Sequence, residues 1–203
     1  MGQYWLAVNL DKKEFIMPHK LGCGLKLWEQ IANHPSTGTA LLILTAAMPE
    51  QRGGGDLDLD VNWHGPERTS GIEPGQMPED YQVVAHRTIG RWAGDRIAVV
   101  GDYAEREDLA PEHNADIIYT LCGGDLPRVI DHYKEVAAAT TDQKVKARYD
   151  DLIERLKSAK PYTDITDDVC KVIEHELHGK FVGEGWREFV SELKKQLVER
   201  QKR

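Results

Sequence analysis

The carboxy-terminal part of the chain carries a helical pattern, and this pattern constrains the fold more than any other feature. Five apolar residues recur at the spacing i, i+4, i+7, i+8 and i+11: Val145, Tyr149, Leu152, Ile153 and Leu156. This spacing puts them on one face of an α-helix. Similar stripes at 126–136, 165–177 and 186–198 predict that 126–203 is a helical segment. Thr140 and Gln143 have capping-box spacing at the start of the second helix.

The amino-terminal part has the composition of β-strands. Four runs rich in β-branched or aromatic residues are typical of strands: 3–10, 14–17, 80–86 and 96–103. The first two, joined by a polar turn, predict an opening hairpin. Residues 24–33 have helical spacing and predict a short amphipathic helix. The apolar run 39–48 fits a buried strand or a buried helix equally well, because periodicity alone does not separate the two.

These patterns predict an α+β fold. We expect an amino-terminal, mainly antiparallel sheet with a short helix, followed by a carboxy-terminal helical third. Residues 1–125 would form the core domain, and 126–203 would pack on it or on a partner. Residues 49–80 hold eight acids and two bases among many glycines and prolines, which predicts a long acidic loop.

Charge and cysteine content exclude several classes of protein. The chain of 203 residues has 26 Lys and Arg against 34 Asp and Glu, a net charge of −8 without a basic stripe. Binding to nucleic acid or to an anionic membrane is therefore not expected. The longest apolar run is about half a membrane span. Three cysteines without a CxxC pair indicate a reducing compartment, so we expect a soluble, cytoplasmic protein.

Three segments carry a family resemblance. MGQYWLAVNLDKKEF, PHKLGCGLKLWEQ and GRWAGDRIAVVGDY resemble a family of uncharacterised bacterial and phage-encoded proteins, with more distant fungal relatives, that begin with MGQYW or MGQYY. The resemblance covers roughly residues 1–105. It implies no particular activity, cofactor or site residue.

Six residues are candidates for a ligand-binding pocket: His19, Trp92, Asp95, Arg96, Asp102 and Tyr103. In this hypothesis Arg96 holds an anionic group, and His19 or Asp102 serves as a general base. The alternative is that the two Gly-Asp pairs are turns at the ends of a buried strand, with Trp92 in the core.

An acidic triplet within the long loop is a candidate site for a divalent cation. Asp56, Asp58 and Asp60 alternate as they would in the first half of a calcium-binding loop. However, Val61 stands where such a loop needs glycine. The alternative is a solvated acidic edge with the intervening leucines turned inward.

Two functions remain open. The absence of catalytic signatures favours a binding module that docks a protein partner through exposed aromatic residues and the acidic loop. Its candidate anchors are the tryptophans Trp5, Trp63, Trp92 and Trp186. The alternative is an enzyme that binds a small molecule in a polar pocket, as a hydrolase or with a divalent metal. A homodimer through the last helix is compatible with either function.

Overall fold

A four-stranded sheet forms the centre of the protein. The computed structural model describes residues 3–32, 35–47 and 79–180, so the predicted helix at 186–198 and nearly all of the predicted loop at 49–80 lie outside it. The strands are β1 (Trp5–Asn9), β2 (Glu14–Ile16), β3 (Ile97–Gly101) and β4 (Thr163–Asp164). Their order across the sheet is β3-β1-β2-β4. β1 is antiparallel to both neighbours, and β4 runs parallel to β2.

The opening hairpin is confirmed, and a buried asparagine shapes its turn. The Asn9 side-chain oxygen accepts hydrogen bonds from the backbone N–H groups of Asp11 and Lys12, at 3.0 and 2.8 Å. Lys13 completes the turn with a positive φ of 57°. The Asn9 side chain therefore stabilises the turn, because it accepts hydrogen bonds from backbone N–H groups that have no partner in the strand pairing.

Helices make up most of the rest of the described chain, and the predicted α+β class is confirmed. They are α1 (Glu29–Ala32), α2 (Thr37–Thr45), α3 (Glu79–Thr88), α4 (Ala115–Cys122), α5 (Leu126–Ala139), α6 (Gln143–Ser158) and α7 (Thr166–Lys180). Three short 3-10 helices lie at Pro18–Leu21, Arg106–Asp108 and Pro111–His113.

Each face of the sheet carries its own hydrophobic core. Ala7 and Ile16 pack with apolar residues of α2, α3 and α7. On the other face, Leu6 and Val8 pack with residues of α4 and α6. Both cores draw on residues before and after the expected boundary at 125/126, and β4 adds a strand from the carboxy-terminal side. The described part of this segment thus packs on the amino-terminal sheet.

The strand predicted at 80–86 is wrong, because the structure has helix α3 there. Val84, Ala85, Thr88 and Ile89 are buried, which is the spacing of one helical face. The adjacent valines suggested a strand, but packing of this face against α7 decides the conformation. For residues 39–48 the sequence left a buried strand and a buried helix open. The structure has helix α2 there, which ends at Thr45.

Two further predictions need correction at helix ends. The helix expected over 24–33 contains only the single turn α1. Thr140 was expected to cap the start of α6, but it is the C-cap residue of α5. The N-cap residue of α6 is Asp142. Its carboxylate accepts hydrogen bonds from the N–H groups of Lys144 and Val145. Asp142 directly precedes the helix, so its oxygen reaches the free donors of the first turn.

The turn after α3 is locked against the end of α2. Gly90 N–H donates to the Ile43 carbonyl at 2.9 Å, and Trp92 N–H donates to the Leu44 carbonyl at 2.7 Å. Gly90 has a φ of +72°, and a Cβ added there would lie 2.5 Å from the Ala46 carbonyl oxygen. Any other residue at this position meets both backbone strain and a clash.

We therefore expect Gly90→Ala to lower the free energy of unfolding by about 3 kcal/mol. Gly94→Ala is the matched control, because Gly94 also has a positive φ but open space where a Cβ would go. It should lose only about 1 kcal/mol, the cost of the backbone conformation. Urea denaturation measures both values, and equal losses would contradict the role assigned to the Ala46 contact.

Candidate functional site

A buried carboxylate joins the opening hairpin to the turn after α3. Glu14 on β2 is only 7% exposed. It accepts hydrogen bonds from Arg91 Nε at 2.9 Å, from Arg91 Nη2 at 2.6 Å and from the Trp92 indole N–H at 2.9 Å. Trp92 is completely buried, which confirms its predicted place in the core. Arg91 and Trp92, which follow Gly90 in the sequence, thus hold the Glu14 carboxylate in place.

These partners also determine the ionisation of Glu14. Burial, the largest influence, raises the pKa of its carboxyl, because a charge is less stable away from water. The hydrogen bonds from Arg91 and Trp92 and the charges of Arg91 and Lys12 act together in the opposite direction. Their sum outweighs burial, and the pKa of Glu14 lies below its ordinary value.

A second set of contacts occupies Asp95. Its carboxylate accepts a hydrogen bond from the Asn9 side-chain amide at 2.7 Å and forms an ion pair with Lys12. The same Lys12 ammonium donates to the Arg91 carbonyl. The hydrogen bond from Lys12, followed by that from Asn9, lowers the pKa of Asp95. Asp95 therefore ties the hairpin turn to the segment before β3.

The Arg96 side chain is also engaged by a carboxylate within the protein, that of Asp11. Its Nε and Nη2 donate to Asp11 Oδ1 at 2.8 and 2.6 Å, and its backbone N–H donates to Asp11 Oδ2 at 2.7 Å. Its Nη1 lies 3.2 Å from His113 Nε2. The guanidinium already faces a carboxylate, so an anionic ligand would have to share Arg96 with Asp11.

Asp102 and Tyr103 lie at the opposite end of β3. Five strand residues separate Asp102 from Arg96, a span of roughly 20 Å at the usual rise. The Asp102 carboxylate accepts a hydrogen bond from the Tyr4 N–H at 2.9 Å. His19 lies at a third place, in the 3-10 helix after β2, where its Nδ1 is 3.3 Å from the Cys23 carbonyl. The six pocket candidates are thus distributed over three places.

The proposed cation ligands Asp56, Asp58 and Asp60 lie outside the described residues. Among the residues that the structure does describe, no three His, Cys, Asp or Glu side chains come together as a metal site. None of the described helices is long and apolar enough to cross a membrane.

The exposed aromatic residues concentrate at one end of the sheet. Trp5 N–H donates to the Leu25 carbonyl at 2.9 Å, and Asp102 N–H donates to the Tyr4 carbonyl at 3.0 Å, so three segments meet there. These segments carry five of the nine exposed large apolar residues in the described chain, and we call the five the aromatic end: Tyr4, Leu27, Trp28, Ile31 and Tyr103. Trp28 is the most exposed aromatic residue of the group, at 74%.

Sequence reasoning missed this surface. The spacing of Trp28 and Ile31 suggested the buried face of an amphipathic helix, but both side chains are exposed. Of the predicted tryptophan anchors, Trp92 is wholly buried and Trp5 half-buried, while Trp63 and Trp186 lie outside the described residues. The prediction failed because α1 is only one turn long, and a helix of one turn cannot form a buried stripe along one face. The apolar spacing alone did not indicate how short this helix is.

An acidic segment borders the aromatic end. Residues 102–108 contain four acids and one base: Asp102, Glu105, Glu107, Asp108 and Arg106. Apart from Asp102, which is partly exposed, all of these residues are exposed. Nearby on α4, burial and then the charge of Asp102 raise the pKa of the Tyr119 hydroxyl. This end of the molecule is therefore apolar at its centre and negative along one border.

No family model, curated protein or solved structure matches this chain.

Glu14→Gln should lower the free energy of unfolding by about 2–3 kcal/mol, because it leaves the Arg91 charge half-buried without its counterion. Asp131→Asn is the control, since it removes an exposed ion pair with Lys134. That change should cost less than about 0.5 kcal/mol. Chemical denaturation at neutral pH distinguishes the two, and similar small losses would show that the Glu14 contacts contribute little.

The lowered pKa of Glu14 also predicts a dependence of stability on pH. The contribution of this group is complete above the pKa of the unfolded chain, about 4.3, and is lost as pH falls through the lower folded pKa. Glu14→Gln should therefore lose less stability than the wild type between about pH 6 and pH 3. Denaturation midpoints across this range test the prediction, and parallel losses in both proteins would contradict it.

Proposed function

We propose that this protein is a binding module that docks a partner protein on the aromatic end. The single observation that carries the proposal is the clustering of Tyr4, Leu27, Trp28, Ile31 and Tyr103 where three segments meet. Monomeric soluble proteins rarely leave such apolar groups together in water, and aromatic residues commonly anchor interfaces.

The acidic border specifies the partner further. The four acids of segment 102–108 would attract a partner that surrounds its apolar contact with Lys and Arg. The chain's net charge of −8 acts in the same direction over longer distances. The partner surface is therefore an apolar patch or groove with a basic rim.

Internal pairing of the polar candidates supports binding over catalysis. Asp95 is paired with Lys12, Arg96 with Asp11, and Glu14 with Arg91. Groups engaged in this way stabilise the hairpin and offer little to a substrate. The enzyme with a polar pocket is thus the less supported alternative.

The test has two stages and uses the full chain. Partners are first captured from cells with the wild type, with Trp28→Ala and with Val83→Ala, which also shortens an exposed apolar side chain but lies on α3. A partner retained by the wild type and the control but lost by Trp28→Ala is then purified. Calorimetric titration should show about 30-fold weaker binding for Trp28→Ala, a typical interface anchor, and little change for Val83→Ala.

The acidic border adds a second measurement. Affinity for the purified partner should fall as salt is raised, because ions screen the attraction between the acids and the basic rim. Equal affinity of the wild type and Trp28→Ala for every captured partner would overturn the proposal.

A further inference from the structure

Strand β3 forms an edge of the sheet, and the outward backbone groups of Ile97 and Val99 have no partner among the described residues. Arg96 C=O accepts from Leu10 N–H, and Asp102 N–H donates to Tyr4 C=O, so residues 96, 98, 100 and 102 direct their backbone groups toward β1. The alternating residues Ile97, Val99 and Gly101 therefore direct theirs away from the sheet. Within the described chain, no hydrogen bond reaches the outward groups of Ile97 or Val99.

Within the part of the chain that the structure describes, this edge lacks the usual protection against strand pairing. Natural edge strands carry charged residues, proline or bulges, or they are very short. β3 reads IAVVG and holds none of these residue types. Its central residue Val99 is 41% exposed. The other edge strand, β4, has only two residues and is protected by its length.

We propose that β3 pairs antiparallel with β3 of a second copy of this chain, centred on Val99. A two-fold axis at Val99 would place Ile97 opposite Gly101 of the other copy, and Val99 opposite its own counterpart. All of these residues have outward backbone groups, so the register consists of hydrogen-bonded pairs. The central Val99 pair has free groups on both copies, whereas the Gly101 carbonyl would share its second lone pair, because it already accepts a hydrogen bond from Ala104 N–H at 3.2 Å. The two four-stranded sheets become one continuous sheet, and both copies use the same surface.

The charges at the ends of β3 fit the same register. Arg96 of one copy lies opposite Asp102 of the other, and this happens twice because of the two-fold axis. Arg96 and Asp102 form a pair of the non-hydrogen-bonded type, in which opposite side chains come closest. Arg96 remains 60% exposed beside Asp11, so its guanidinium can meet a second carboxylate. In a parallel pairing, like charges would lie at matching ends.

The first experiment measures the mass of the full chain in solution by light scattering and sedimentation, from micromolar to millimolar concentration. We expect a dimer that dissociates on dilution. Val99→Lys places two ammonium groups opposite each other at the axis and should weaken dimerisation at least about tenfold. Val83→Lys is the control, because Val83 is 62% exposed and lies on α3. It should dimerise as the wild type does.

A second variant tests the register and does not depend on the stability of Val99→Lys. The axis puts the two Val99 Cα atoms about 5.5 Å apart, within reach of a disulfide. Val99→Cys should therefore form a covalent dimer with oxidised glutathione, whereas Val83→Cys and the wild-type cysteines should not. A monomer at every concentration, a dimer unaffected by Val99→Lys, or equal cross-linking of both cysteine variants would overturn the proposal.

Discussion

The burial of the Glu14 carboxylate is the constraint on which the described structure depends. A charge away from water needs donors that stay in place, and Arg91 and Trp92 supply three of them. The backbone N–H of Trp92 donates in turn to the Leu44 carbonyl at the end of α2, which helps to position the indole. One carboxylate thus connects β2, the turn after α3 and the end of α2, which are distant in sequence.

The contacts around Glu14 belong to a larger set of ion pairs between two segments of the chain, residues 1–15 and 90–103. Asp11, Lys12 and Glu14 of the first segment meet Arg96, Asp95 and Arg91 of the last, each acid with a base. These pairs connect the hairpin to the segment that leads into β3. The pocket candidates Trp92, Asp95 and Arg96 therefore serve the fold, and the docking surface that we propose lies at the other end of β3.

The two proposals place different tasks on neighbouring surfaces. The aromatic end presents side chains, chiefly Trp28 and Tyr103, and suits a partner with an apolar surface. The β3 edge presents backbone groups. A second copy of β3 suits this edge, because the antiparallel register places Arg96 of each copy opposite Asp102 of the other. A dimer built on β3 would bring two aromatic ends into one assembly, so that a partner with two sites would bind more tightly than its single contacts allow.

The sequence by itself determined the elements whose pattern is local. The hairpin, β3, α5 to α7 and the α+β class follow from apolar spacing and turn residues, because these depend on neighbours in the chain. Only the tertiary structure decided the rest. Val83 and Val84 suggested a strand until packing on α7 imposed a helix, and β4 exists because Thr163 and Asp164 meet β2. The pairing of Glu14 with Arg91 and the exposure of Trp28 likewise depend on contacts between distant segments, which no local pattern encodes.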